Sequence, residues 1–213
     1  MPKKFRKQQK NTQSEFFFII LPLILATVIA TGDAEAQQRD TNKTIIMFGN
    51  SITHQGKWED ILNRSDVVNW GIPGFTTEQL SWTIKDILKQ YKPRVCFIEG
   101  GINDYTLGIT TERIYQNQTM VMDSLAHNKV IPVYQTTLYQ LHSNTVNRSI
   151  DALNFLMQKF CEQRGYGFID LRTVLAKDGD MVPELTTDGT HLKPEAYLPW
   201  GKEIEKFLKG HPL

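Results

Sequence analysis

Three observations predict a three-layer α/β/α fold around a five-stranded parallel sheet. Short β-branched and aromatic runs alternate along the chain with segments whose apolar residues recur at helical spacing. Glycine and proline punctuate the joins, as at Gly71, Pro73, Gly74 and Pro93. The 213 residues suit one well-packed domain and are too few for two ordinary ones.

In order, Thr44–Phe48 reads as the first strand and Gln55–Asn63 as a short helix with Trp58, Ile61 and Leu62 on one side. Val67–Trp70 is a second strand. Thr77–Gln90 carries Leu80, Ile84, Ile87 and Leu88 in helical phase. Arg94–Ile98 is the third strand, and Thr111–Asn128 a helix with Ile114, Met120, Val121 and Leu125 in phase. Val130–Gln135 is the fourth strand. Thr145–Arg164 is a long helix built on Ile150, Leu153, Leu156, Met157 and Phe160. Gly167–Asp170 is a short fifth strand. Pro194–Leu208 closes the chain as a helix, with proline in its tolerated first turn.

Strands that alternate with helices imply a parallel sheet covered on both faces. The pattern is that of a flavodoxin-like domain with strand order 2-1-3-4-5. Its topological switch point lies between strands one and three. Ser51 follows strand one and Gly100-Gly101-Ile102-Asn103-Asp104 follows strand three, so these two loops are expected to be neighbours.

The N-terminal residues differ in character. Lys3, Lys4, Arg6, Lys7 and Lys10 precede an apolar run over Phe16–Ala30, and Ala34-Glu35-Ala36 supplies small residues at A-x-A spacing. That order reads as a signal peptide over residues 1–36, with an uncleaved membrane anchor as the alternative. Either exports the domain at 44–213, to the periplasm or beyond the cell. Residues 37–43 form a polar leader.

Lys and Arg total 24 against 23 Asp and Glu, a net charge of +1, so no strongly basic face for nucleic acid is expected. Metal-binding spacings and a phosphate-binding glycine loop are missing, and no cofactor is expected. Cys96 and Cys161 fall in a strand and a helix and are expected as two buried free thiols rather than a disulfide.

The chemistry-bearing residues each admit a plain reading. Ser51 in Gly49-Asn50-Ser51 is either a nucleophile or the cap of the next helix. His191 is a candidate base because Asp188 stands three residues earlier and can orient its ring; the pair can also be a turn. Asn103 is either an oxyanion donor or a turn former. Gly74 serves a tight turn and can present its N–H as well. Asp104 competes with Asp188 as the histidine's partner, and Glu99, ending strand three, is either buried or exposed. Trp58, Trp70, Trp82 and Tyr105 are candidates for stacking on sugars or for the core.

Gly49-Asn50-Ser51-Ile52-Thr53, the Asn69–Gly74 segment, Gly101-Ile102-Asn103-Asp104 and Asp188-Gly189-Thr190-His191 together resemble the four sequence blocks of the SGNH hydrolases, the GDSL-like lipases and acylhydrolases, in family order. The resemblance runs from Thr44 to Leu208. It implies ester hydrolysis with Ser51 as nucleophile, His191 as base and Asp188 orienting it. Ser51, Gly74 and Asn103 would form the oxyanion hole. Asn50 departs from the family's Asp. The expected substrates are small acyl esters, O-acetyl esters of carbohydrates first. Lysophospholipase- or thioesterase-like activity and a non-catalytic carbohydrate-binding module are the alternatives.

Overall fold

The computed structural model describes residues 44–212. The readings of residues 1–36 and 37–43 lie outside that range.

The central sheet consists of β1 (Ile45–Gly49), β2 (Val67–Gly71), β3 (Val95–Ile98), β4 (Ile131–Gln135) and β5 (Gly167–Ile169). They run parallel in the order β2-β1-β3-β4-β5, as the alternating pattern predicts. β1 and β3 are buried along their whole length, so their near-continuous apolar sequences fit strands covered on both faces.

The helices are α1 (Ser51–Gln55), α2 (Trp58–Ile61), α3 (Thr77–Gln90), α4 (Ile102–Thr106), α5 (Thr111–His127), α6 (Asn144–Arg164), α7 (Arg172–Leu175) and α8 (Tyr197–Gly210). Successive strand residues face opposite sides. Ile45, Met47 and Phe97 pack in one core with Trp58, Tyr197 and Trp200 of α2 and α8. Ile46, Phe48 and Ile98 pack in the other with Leu80, Ile114 and Leu153 of α3, α5 and α6.

Several elements differ from expectation. The helix expected over Gln55–Asn63 is two short helices, because Gly56 between them is extended (φ −70°, ψ 127°) and its N–H is bonded to the Thr53 carbonyl. A helix starts directly at Ser51. Three small elements lack a legible pattern: α4, α7, and a hairpin of β6 (Ala176–Lys177) and β7 (Asp180–Met181). Each is too short to display a period. Pro194 opens a 3-10 turn over Pro194–Ala196 that leads into α8.

Cys96 and Cys161 are free and buried, and burial pushes the Cys161 thiol up to about 12. Both act as small apolar side chains. Among the described residues no helix is long and apolar enough to cross a membrane.

Candidate active site

The site lies at the carboxyl ends of β1, β2 and β3, the edge where parallel sheets place ligands. The cap question is settled at Asn50. Asn50 is the N-cap of α1, and its Oδ1 accepts a hydrogen bond from the Ile52 N–H at 2.8 Å. Ser51 is therefore the first helical residue, and its hydroxyl is not used as a cap. A cap needs a single acceptor oxygen, which Asn50 supplies without burying a charge, while its Nδ2 is buried with no hydrogen-bond partner among the described residues.

Ser51 Oγ lies 3.0 Å from His191 Nε2. His191 Nδ1 lies 2.7 Å from Asp188 Oδ2. The other Asp188 oxygen accepts from the backbone N–H groups of His191, at 2.7 Å, and Thr190, at 3.0 Å. These bonds, the His191 N–H first, hold the Asp188 carboxyl at about 2. An ionised carboxylate only accepts, so Nδ1 carries the ring proton and Nε2 is left to accept from the Ser51 hydroxyl. The loop is tied down by Thr186 Oγ1, which donates to the His191 carbonyl at 2.8 Å, and by the Thr187 N–H on the same carbonyl at 2.9 Å.

Asp104 is not the histidine's partner. Its buried carboxylate accepts from the Thr77 N–H at 2.9 Å and the Thr77 hydroxyl at 2.6 Å, anchoring the start of α3.

Residues Ile72 to Phe75 form a tight turn in which the Phe75 N–H bonds the Ile72 carbonyl at 3.3 Å. Pro73 followed by Gly74 at φ +79° is the sequence a type II turn requires. The Ile72 N–H bonds the Gly49 carbonyl at 2.9 Å, which ties this turn to the loop carrying Ser51. Asn103 Nδ2 donates to the Phe75 carbonyl at 2.9 Å, which ties it to α4. One amide hydrogen of Asn103 is thereby spent and the other remains. The N–H groups of Ser51 and Gly74 have no protein acceptor among the described residues. Ser51, Gly74, Asn103, Asp188 and His191 are the candidates the sequence names, and the structure joins Ser51, His191 and Asp188 by hydrogen bonds and ties Asn103 to the turn that holds Gly74. The Phe75 carbonyl that orients Asn103 is a backbone acceptor and leaves no mark on sequence.

A Cβ on Gly74 would meet nothing within 4 Å. Gly74→Ala should therefore cost only the left-handed backbone conformation, about 1–2 kcal/mol, and leave kcat for ester hydrolysis within a few-fold, as a thermal melt and initial rates would show.

The stacking candidates separate. Trp58 is core, and its Nε1 donates to the Thr53 carbonyl at 2.8 Å. Tyr105 donates to the Ser149 carbonyl at 2.9 Å. Trp70 packs edge-on against Tyr91, and Trp82 is exposed on α3. Beside the site a groove of about 500 Å³ is lined by Gln55, Ile61, Thr187, Leu192 and Leu198 among others.

A serine paired to an imidazole that is paired to a carboxylate, at the carboxyl edge of a parallel sheet, is the arrangement of a serine hydrolase. The chain belongs to the GDSL-like Lipase/Acylhydrolase family, whose profile matches residues 47–198. Among solved structures it is similar to a GDSL-like lipase of Bacteroides thetaiotaomicron, at 19% identity and a TM-score of 0.72, over 82% of this chain and 92% of that one. It is also similar to an acetyl xylan esterase, at 19% identity and a TM-score of 0.67, over 78% of this chain and 99% of that one. It is 35% identical over 101 residues to an N-acylneuraminate cytidylyltransferase of Streptococcus agalactiae, a match to 47% of this chain. The chain spans only 24% of that relative's length.

Proposed function

We propose that the protein is a serine esterase that cleaves carboxylic esters through an acyl-enzyme on Ser51, with O-acetyl esters of carbohydrates as its substrates. The observation that carries this reading is the 3.0 Å approach of Ser51 Oγ to His191 Nε2. His191 takes the hydroxyl proton as Oγ attacks the ester carbonyl. The oxyanion receives the N–H groups of Ser51 and Gly74 and the remaining Nδ2 hydrogen of Asn103. The intermediate collapses, His191 returns the proton to the departing alcohol, and Ser51 is left acylated. A water deprotonated by His191 then attacks the acyl group, and the carboxylic acid leaves with Ser51 restored. Asp188 stabilises the imidazolium in both halves.

The carbohydrate preference rests on the half-buried, accessible placement of Ser51 and His191 and on two compared proteins named for carbohydrates, acetyl xylan and N-acylneuraminate. Residues 1–36 read as an export signal, which would give the enzyme acylated glycans outside the cytoplasm as substrates.

A chromogenic acetyl ester tests the reaction, and labelling by a serine-directed organophosphonate at Ser51 tests the nucleophile. A purified protein that neither turns over the ester nor takes the label is a binding module and the proposal is wrong. Acetylated sugars set against long-chain acyl esters and thioesters test the substrate, and faster turnover of long chains would favour a lysophospholipase-like enzyme. Asn103→Ala should lower kcat roughly 10²- to 10³-fold with a smaller change in KM. A rise in KM alone would remove Asn103 from the oxyanion hole.

A further inference from the structure

Glu99 is fully buried directly under the site and takes no part in the reaction outlined above. The strand register pairs Phe48 with Ile98 and Ile98 with Tyr134. The next residues, Gly49, Glu99 and Gln135, therefore form one row on the sheet face that carries Met47, Phe97 and Val133. Thr53 of α1 rests on that row. Its hydroxyl would stand 2.2 Å from a Cβ on Gly49. Gln135 accepts at its Oε1 from Trp200 Nε1 at 2.6 Å. The Thr53 hydroxyl, both Glu99 oxygens and the Gln135 amide nitrogen have no hydrogen bond of ordinary geometry to protein, although the Thr53 hydroxyl is close enough to favour the ionised carboxyl somewhat. The unpaired groups are complementary. A neutral carboxyl has one donor and an acceptor, so it can serve a hydroxyl on one side and an amide N–H on the other. A carboxylate could accept from both, but it would be a charge sealed in the core with no cation among the described residues beside it, which only water entering under α1 could solvate.

α1 is five residues long and cannot hold its position by its own hydrogen bonds. Its pose is set by what grips it. Trp58 bonds the Thr53 carbonyl, Tyr197 bonds the Ile52 carbonyl at 2.7 Å, and Thr53 seats on the Gly49–Glu99 row. Ser51 begins the same turn of helix.

We propose that Glu99, as a neutral carboxylic acid, is a positioning residue for Ser51: it seats Thr53, and its ionisation loosens α1 and draws the nucleophile out of register with His191. The inference rests on the esterase reading above. Burial pushes the Glu99 carboxyl up to about 8. The titratable groups that interact with it are the phenols of Tyr197 on α8 and Tyr134 on β4, both raised chiefly by their own burial and further by Glu99. No lysine, arginine or histidine among the described residues acts on it. The sign follows. The unfolded chain gives up this proton near 4.5 and the folded chain keeps it to about 8. Glu99's share of stability is full below the lower value, declines as the pH rises, and is gone above the higher one.

The test compares wild type with Glu99→Gln and Glu99→Leu, following kcat and the thermal midpoint from about pH 5 to about pH 9.5. Wild-type kcat should fall above about pH 8. Glu99→Gln, neutral at every pH, should keep near-wild-type kcat at neutral pH and lose that alkaline fall. Glu99→Leu should lose roughly tenfold to a hundredfold in kcat at neutral pH, since an ångström of misplacement costs about that much. An alkaline fall that persists in Glu99→Gln overturns the proposal, as does a wild-type kcat in Glu99→Leu. If the wild type hydrolyses no ester, the functional reading fails, and the thermal midpoint still decides the role of Glu99. A midpoint that drops between about pH 5 and about pH 8 in wild type and stays level in Glu99→Gln supports a buried neutral acid, and parallel curves refute it.

Discussion

Ser51→Ala should leave a fully folded protein with no measurable ester hydrolysis, a fall in kcat of roughly 10⁴- to 10⁶-fold. The substitution is unusually clean. Asn50, not Ser51, caps α1. Among the described residues, Ser51 Oγ hydrogen-bonds only His191 Nε2. Alanine is the best helix former at the position it would occupy, so unfolding free energy should change by less than about 0.5 kcal/mol. Circular-dichroism melts beside single-turnover rates would separate the two quantities. Activity retained to within tenfold would show that another group attacks the ester. A large loss of stability together with the activity would return Ser51 to the role of a cap.

The second large effect is expected at Gly71, a residue with no chemistry of its own. It ends β2 and pairs with Gly49. A Cβ there would stand 2.2 Å from the backbone nitrogen of His54, 2.5 Å from its Cα and 2.8 Å from the Thr53 carbonyl carbon. These are backbone atoms of α1, so no side chain can turn aside, and Gly71→Ala must push the helix off the sheet. Overpacking of this kind costs about 1–3 kcal/mol. Displacing α1 by an ångström should cost on the order of 10²-fold in kcat. Gly74→Ala is the matched control, because it changes a neighbouring glycine with open space around it. If Gly71→Ala were no worse than Gly74→Ala in kcat and in thermal midpoint, the close packing of α1 on β2 would not govern the nucleophile's position.

Much of this arrangement is legible in the sequence. The five strands stand within a residue or so of where the β-branched runs put them, and α3 spans Thr77–Gln90 as its apolar phase requires. Long periodic segments state their own identity. The elements that escaped, α4, α7 and the β6–β7 hairpin, hold too few residues for any period to appear, and they form because the strands before them and the cores beneath them leave the chain little choice. The first helix starts earlier than the spacing predicts, at Ser51, for a related reason. Gly56 and the Trp58 indole bond split one apolar-looking segment into two turns, and neither effect is visible as spacing.

The site divides along the same line. Asp188 and His191 are three residues apart, so a local turn suffices to pair them and the pair can be read as a candidate from sequence, as can the strand–helix alternation, the Pro73–Gly74 turn and the order of the family's blocks. Ser51 and His191 are separated by 140 positions, and Asn103 reaches the Phe75 carbonyl across 28. That Ser51 is free to meet His191 because Asn50 does the capping, that Asp104 serves α3 rather than the imidazole, that Trp58 is core, and that Glu99 is sealed beneath α1 all come from packing between distant segments. The division is one of range. Caps, turns and periodicities are settled by neighbours along the chain, whereas burial, strand register and the meeting of a hydroxyl with an imidazole exist only once distant segments have packed.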